Sequence, residues 1–295
     1  MLRTTASLSA AQTLHVTVPN RHQQCLSQFQ HTISHVLTES PQQILARLIP
    51  FTTSLDLTVH FSPMRSSLEF IVSELNSLPF PYAKKFPAIH QDTCASNRCH
   101  PLLLQILKPV RTTGDGNCMY NALSLTLTGT EQFSDLIRLL CAYALVKYKD
   151  TMISAFADAF PSNTEASHEQ MYHRTSLQVG VWGTDSQLFP LSLLMNRPIF
   201  HCNTFFVVSD TSGIITLSVS NARDVADSAR RFLVFDPDTR RHILYCSNVH
   251  RVLLASGDIN TLPYMPLCLL NFANQHWVAM LLQSHTVAQH LPILC

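Results

Sequence analysis

Glycine and charge are both scarce in this chain. Seven glycines stand among 295 residues, and Asp, Glu, Lys and Arg together make up 13%, against about 25% in an average soluble protein. Lys and Arg number 20 and Asp and Glu 19, for a net charge of +1. Bulk electrostatics therefore argues neither for nucleic acid nor for an acidic partner. No apolar run reaches the ~18 residues that cross a bilayer, so no membrane span is expected. Acidic residues are missing before Glu39. The opening Met1-Leu2-Arg3, followed by Ser, Thr and Ala, has the acid-poor, Ser-rich composition of a transit peptide, but arginines are few. No compact apolar core follows Arg3, as a secretory signal would require. A disordered terminus fits best. The nine cysteines are odd in number and follow no regular framework, which points to reduced thiols in a cytoplasmic or nuclear protein.

What is present is 46% apolar residues, enough to bury the core of one large domain or two small ones. Residues 1–38 are polar and weakly periodic, and are expected to be disordered or marginally helical. Residues 39–100 read as a small helix-strand-helix module and a linker. Ser40-Pro41-Gln42-Gln43 is a helix start, with a serine cap, proline at the first position and glutamine three residues after the cap. Leu55, Leu57, Val59 and Phe61 alternate with polar residues, the pattern of a half-buried strand. Ser66 and Glu69 form the signature of a second capping box. Pro79, Pro81 and Pro87 mark the linker. His90, Cys94, Cys99 and His100 follow in a spacing that matches no common zinc finger, so incidental thiols are the favoured reading and no metal site is expected.

Residues 101–285 carry the chemistry, ahead of a short tail at 286–295. The stretch Thr113-Gly114-Asp115-Gly116-Asn117-Cys118 is a polar turn that runs into an apolar-periodic helix. The two glycines permit conformations in which amides point at a ligand. A cysteine on the first helical turn feels the positive end of the helix dipole, which favours thiolate. Gly129 should end this helix, and a second one from about Gln132 keeps helical spacing through Leu136, Ile137, Leu140, Cys141 and Ala144. Thr184 and Gln187 open a later helix, Pro190 kinks or delays it, and Asn196-Arg197-Pro198 ends it. Short strands follow, at Ile199–Asn203, 204–208, 214–219, 232–235, 243–246, Pro266–Phe272 and His276–Leu282, with a hairpin turn at Asp236-Pro237-Asp238. Helices first and strands after argue for an α+β layout, with helices packed on a mostly antiparallel sheet. A thiolate nucleophile needs a base. Of fifteen histidines, His276 is distinctive because it enters the apolar strand Trp277-Val278-Ala279-Met280. Asn274, two residues earlier, lies on the same strand face and could orient the imidazole.

Gly114-Asp115-Gly116-Asn117-Cys118-Met119-Tyr120-Asn121-Ala122-Leu123-Ser124 resembles the Asp-Gly-Asn-Cys block of the ovarian tumour (OTU) family of cysteine proteases. Trp182-Gly183-Thr184 through Asn196-Arg197-Pro198-Ile199 resembles its middle block, and His276-Trp277-Val278-Ala279 its histidine strand. The likeness covers about 105–283. It implies a papain-like OTU fold and a deubiquitinase that hydrolyses isopeptide bonds at the ubiquitin C-terminus, with no cofactor and no metal. Cys118 would be the nucleophile, His276 the general base, Asp115 a residue that shapes the oxyanion loop or steadies the site, and Asn274 the orienter. Backbone amides of Gly116, Asn117 and Cys118 would hold the oxyanion. Trp277 would shield the base or pack under the substrate's glycine tail. The family often carries Phe or Tyr and then Arg after the cysteine, where Met119, Tyr120 and Asn121 stand here. Ubiquitin or polyubiquitin is the implied partner, and nucleic acid is not. Two other readings are a catalytically silent module that binds ubiquitin or another partner, and a polyprotein or ubiquitin-like-modifier protease of viral or mobile-element type.

Overall fold

The computed structural model describes residues 21–51, 53–83, 90–97, 104, 107–151, 174–184, 187–197, 199–204, 206–207, 216–217, 233–236, 241–244, 267–272 and 276–283. The chain begins there with helices α1 (Arg21–Val36), α2 (Pro41–Leu48), α3 (Ser54–Phe61) and α4 (Arg65–Ser77), the last two joined by the 3-10 turn Ser62–Met64. The Ser40 box forms as its sequence indicates. Ser40 Oγ accepts from the Gln43 amide at 3.3 Å, and the Ser40 amide donates to Gln43 Oε1 at 2.9 Å. Of the two readings expected for the chain's start, disordered or marginally helical, residues 21–36 take the helical one, and the strand expected over 55–61 fails. Residues 21–36 are a helix, held by Phe29 and Ile33 one turn apart, with the Phe29 ring 5.2 Å from that of Phe133. Residues 54–61 are a helix and not a strand, so the expected helix-strand-helix module is all helical. Thr53 caps α3 by accepting from the Asp56 amide at 3.1 Å, and Leu57 and Phe61 are buried while Leu55 and Val59 are 74% and 63% exposed. Residues four apart share a helical face, so the alternating pattern was satisfied by only half of its members.

The expected box at Ser66 is also absent, because α4 starts at Arg65 and takes Ser66 inside the helix. Glu69 reaches instead to Lys147 Nζ at 2.8 Å and accepts from the Tyr143 hydroxyl at 3.0 Å. The Lys147 hydrogen bond is the main reason that its carboxyl is held down to about 2. These contacts tie α4 to the central helix.

After α5 (Thr93–Ser96) and strand β1 (Leu107–Val110) comes α6 (Cys118–Thr128), closed by Gly129 at φ 76°. Helix α7 (Ser134–Lys147) is buried on all sides from Leu136 to Leu145 and packs against α2, α3, α6, α8 (Arg174–Leu177) and α9 (Leu188–Met195). A helix apolar all round belongs in a core. Pro190 lies in the first turn of α9, where no intrahelical N–H bond is lost, and Asn196 ends that helix at φ 47°.

One sheet has the order β1-β8-β7-β2, built with β2 (Ile199–Thr204), β7 (Leu267–Phe272) and β8 (His276–Leu282). Strands β3 (Phe206–Val207) and β4 (Thr216–Leu217) form one small ladder, and β5 (Leu233–Asp236) and β6 (Arg241–Leu244) another. Every pairing among these strands is antiparallel except β2 with β7, as an α+β layout with a mostly antiparallel sheet requires. Of the expected hairpin turn at 236–238, Asp236 ends β5, and residues 237 and 238 lie outside the described residues. Strand β1 went unread because it is four residues long and contains Pro109, which a sheet edge tolerates. Among the described residues no helix is long and apolar enough to cross a membrane.

The helical reading of 54–61 separates two leucines that a strand would treat alike. In urea unfolding, Leu57→Ala should cost about 2–5 kcal/mol, and Leu55→Ala no more than about 0.5 kcal/mol. Equal losses would restore the strand.

Candidate active site

Cys118 is the first residue of α6, which packs on β8 and β7. It is 3% exposed. Burial pushes its thiol above the ordinary range and the Asp115 carboxylate pushes the same way, while hydrogen bonding from the backbone of Trp277 and Met119 pulls it back. Trp277 adjoins His276 in β8, so the thiol sits beside the start of the histidine strand. The His276 ring lies against the loop ahead of the cysteine. A Cβ on Gly114 would be 3.8 Å from His276 Cε1 and 3.9 Å from Nδ1, and His276 itself is half-buried. Strand β8 and the 113–117 loop thus lie side by side, with the Cys118 thiol at the Trp277 backbone and the His276 ring at Gly114. Asn274 lies outside the described residues.

The loop is held by side chains at three points. Glu131 accepts from both the Thr113 amide, at 2.8 Å, and its hydroxyl, at 2.6 Å. Asn121 Nδ2 donates to Thr113 O at 3.1 Å and to Asp115 Oδ1 at 3.0 Å. Asp115 Oδ1 also accepts from the Asn117 amide at 2.9 Å, the closure of an Asx turn. The Asp115 carboxylate therefore folds onto its own loop, where it shapes the turn. The Asn117 amide, one of the three expected to face an oxyanion, is taken up by this bond.

Asn117 is bound from its side chain as well. Its Oδ1 accepts from Arg138 at 2.6 Å and from the Gly180 amide at 2.9 Å. Gly116 has φ +83°, and a Cβ there would meet the Gly180 carbonyl oxygen at 1.9 Å, so this position requires glycine for both conformation and space. Trp277 is 4% exposed, and its indole N–H donates to Gly183 O at 3.3 Å. It is thus anchored to the backbone of the Trp182-Gly183 segment. The exposed tryptophan is Trp182, at 55%.

Residues 109–180 match the family model described as the OTU domain of vertnin. Among solved structures, the chain is similar to the viral OTU domain protease from Dera Ghazi Khan virus, with 15% identity, a TM-score of 0.37, and coverage of 62% of this chain and 85% of that one. The OTUD1 OTU domain gives 16% identity and a TM-score of 0.34 over 59% and 85%. The Hazara virus OTU, solved bound to ubiquitin, gives 18% and 0.29 over 62% and 85%. Among curated proteins none matches.

Within the matched stretch, sequence reasoning gave Arg138, Glu131 and Gly180 no role and named Asn121 only as part of the cysteine block. Arg138 carried a signal: one cation in the apolar run Leu136-Ile137-Arg138-Leu139-Leu140. Tyr120, which replaces an expected Phe or Tyr neighbour of the cysteine by one position, is buried under the Arg138 guanidinium at 3.9 Å and donates to Gln187 Oε1 at 3.0 Å. Gln187 Oε1 also accepts from the Thr184 amide at 2.9 Å, the half of the expected capping box in which the glutamine reaches back to the backbone. Cys141 is a core thiol, pushed by burial up to about 12. His90 and Cys94 are described, with Cys94 exposed in α5; Cys99 and His100 lie outside the described residues.

A thiol raised by burial is protonated at neutral pH. Alkylation of Cys118 by iodoacetamide should therefore accelerate with pH and inflect above the ordinary thiol value of about 8.5. A rate already level between about pH 5 and 8 would mean a resting thiolate paired with imidazolium and contradict this.

Proposed function

We propose that the chain is a cysteine-type isopeptidase that acts at the C-terminus of ubiquitin or a ubiquitin-like modifier. What supports the chemistry is the Cys118 thiol against the backbone of Trp277, the neighbour of His276, together with the His276 ring beside Gly114 in the loop ahead of Cys118. The substrate class rests on the OTU resemblance.

His276 takes the Cys118 proton as the sulfur attacks the carbonyl carbon after the modifier's last glycine. The carbonyl oxygen becomes an oxyanion, which the amides of Gly116 and Cys118 receive at the positive end of α6. His276 then returns the proton to the departing lysine amine, and a thioester remains on Cys118. Water, activated by the same imidazole, hydrolyses it and frees the thiol. Asp115 keeps the loop in shape, and Asn274 orients the imidazole from the residue before Gln275. No cofactor enters any step. A cytoplasmic or nuclear setting keeps such a thiol reduced.

The burial of Cys118, 3% exposed, also suits a module that binds a modifier without turnover. The two readings part on catalysis. With a ubiquitin C-terminal amide as substrate, His276→Ala should lower kcat/KM by about 10²- to 10⁴-fold, and Cys118→Ala should abolish turnover. Hydrolysis by Cys118→Ala at the parental rate would end the proposal. A panel of other modifier amides run in parallel identifies the substrate if ubiquitin itself is spared.

A further inference from the structure

We infer that Arg138 is a positioning residue for the oxyanion loop and acts through Asn117; the inference rests on the isopeptidase reading above. Arg138 lies in the middle of the central helix and is 0% exposed. Its guanidinium joins two loops that no backbone ladder connects. One terminal nitrogen donates to Asn117 Oδ1 at 2.6 Å and to Val181 O at 2.7 Å, and the other donates to Gln178 O at 2.7 Å. The Gly180 amide binds the same Asn117 oxygen at 2.9 Å.

The geometry converts this bridge into control of the reaction centre. Asn117 is flanked by Gly116 and Cys118, the other two residues whose amides are expected to receive the oxyanion. Its backbone is fixed from one side by Asp115 and its side chain from the other by Arg138. Gly116 rests directly on Gly180, with no room for a Cβ. The depth at which Gly116 sits is therefore set by the 178–181 segment, and Arg138 holds that segment through two carbonyls. The planar, forked guanidinium suits the task, since it can answer three oxygens at once from a fixed plane, and stacking on Tyr120 at 3.9 Å fixes the plane. A core contact needed only for stability would be served as well by an apolar side chain.

Positioning predicts a division between chemistry that forms an oxyanion and chemistry that does not. In Arg138→Gln and Asn117→Ala, kcat on the ubiquitin C-terminal amide should fall by about 10²-fold, as for a misplaced catalytic geometry. KM and the rate of iodoacetamide alkylation of Cys118, which builds no oxyanion, should stay within about threefold of the parent. Asn117→Ala leaves the buried arginine in place and carries the test if Arg138→Gln does not fold, as judged by circular dichroism. Parental kcat in the folded variants would overturn the inference, as would an equal loss of alkylation and hydrolysis, which marks general collapse of the site. If the parent itself turns over no modifier, the isopeptidase reading fails, and amide hydrogen exchange at 114–118 decides the placement alone. Faster exchange in the variants supports it, and parental protection overturns it.

Discussion

Sealing a guanidinium from water costs several kcal/mol unless oxygens answer its N–H groups. In this protein three oxygens that answer Arg138 lie on two loops, at Asn117, Gln178 and Val181. The loops must therefore come to the core, and they arrive in one arrangement. From that arrangement follow the contact of Gly116 with Gly180, the seat of Cys118 at the start of its helix, and the platform over which Trp277 reaches Gly183. The sheet supplies the other half of the site, because β8 enters beside α6 with His276 at its first position and six buried residues behind it.

The helices ahead of the matched stretch pack on the same core. Helix α7 carries Arg138 and is buried from Leu136 to Leu145, and α2 and α3 pack on it. Asn76 of α4 donates to the carbonyl of Met195 at the end of α9, 2.8 Å away. His22 of α1 hydrogen-bonds with the Thr128 carbonyl at the end of the Cys118 helix, 2.7 Å away. Helices α2 and α3 thus form part of the wall around the central helix, and α4 is tied to its end through Glu69 and Lys147.

The legible parts of the sequence were those written in local signals. The Asp-Gly-Asn-Cys turn, the Gly129 stop, the Ser40 box and the strands at 267–272 and 276–282 each depend on residues within a few positions of one another. The misread parts depend on partners far along the chain. Leu55 to Phe61 satisfies both a two-residue and a four-residue period, and the Thr53 cap together with burial against α7 decides between them. Helix α1 has a polar sequence and buries only Phe29 and Ile33, so its order comes from tertiary contact and not from propensity. Arg138 reads as an anomaly in an apolar helix until Asn117, Gln178 and Val181 are seen around it.

The central claim is that this loop and this histidine make Cys118 a nucleophile toward a modifier's C-terminus. Its most direct test is to treat the protein with ubiquitin that carries a thiol-reactive group at its C-terminus and to map the product by mass spectrometry. The account predicts a single added ubiquitin, attached at Cys118 and absent when that residue is alanine. A folded protein with no adduct from ubiquitin or from any related modifier, or with an adduct on another cysteine such as the exposed Cys94, would contradict it.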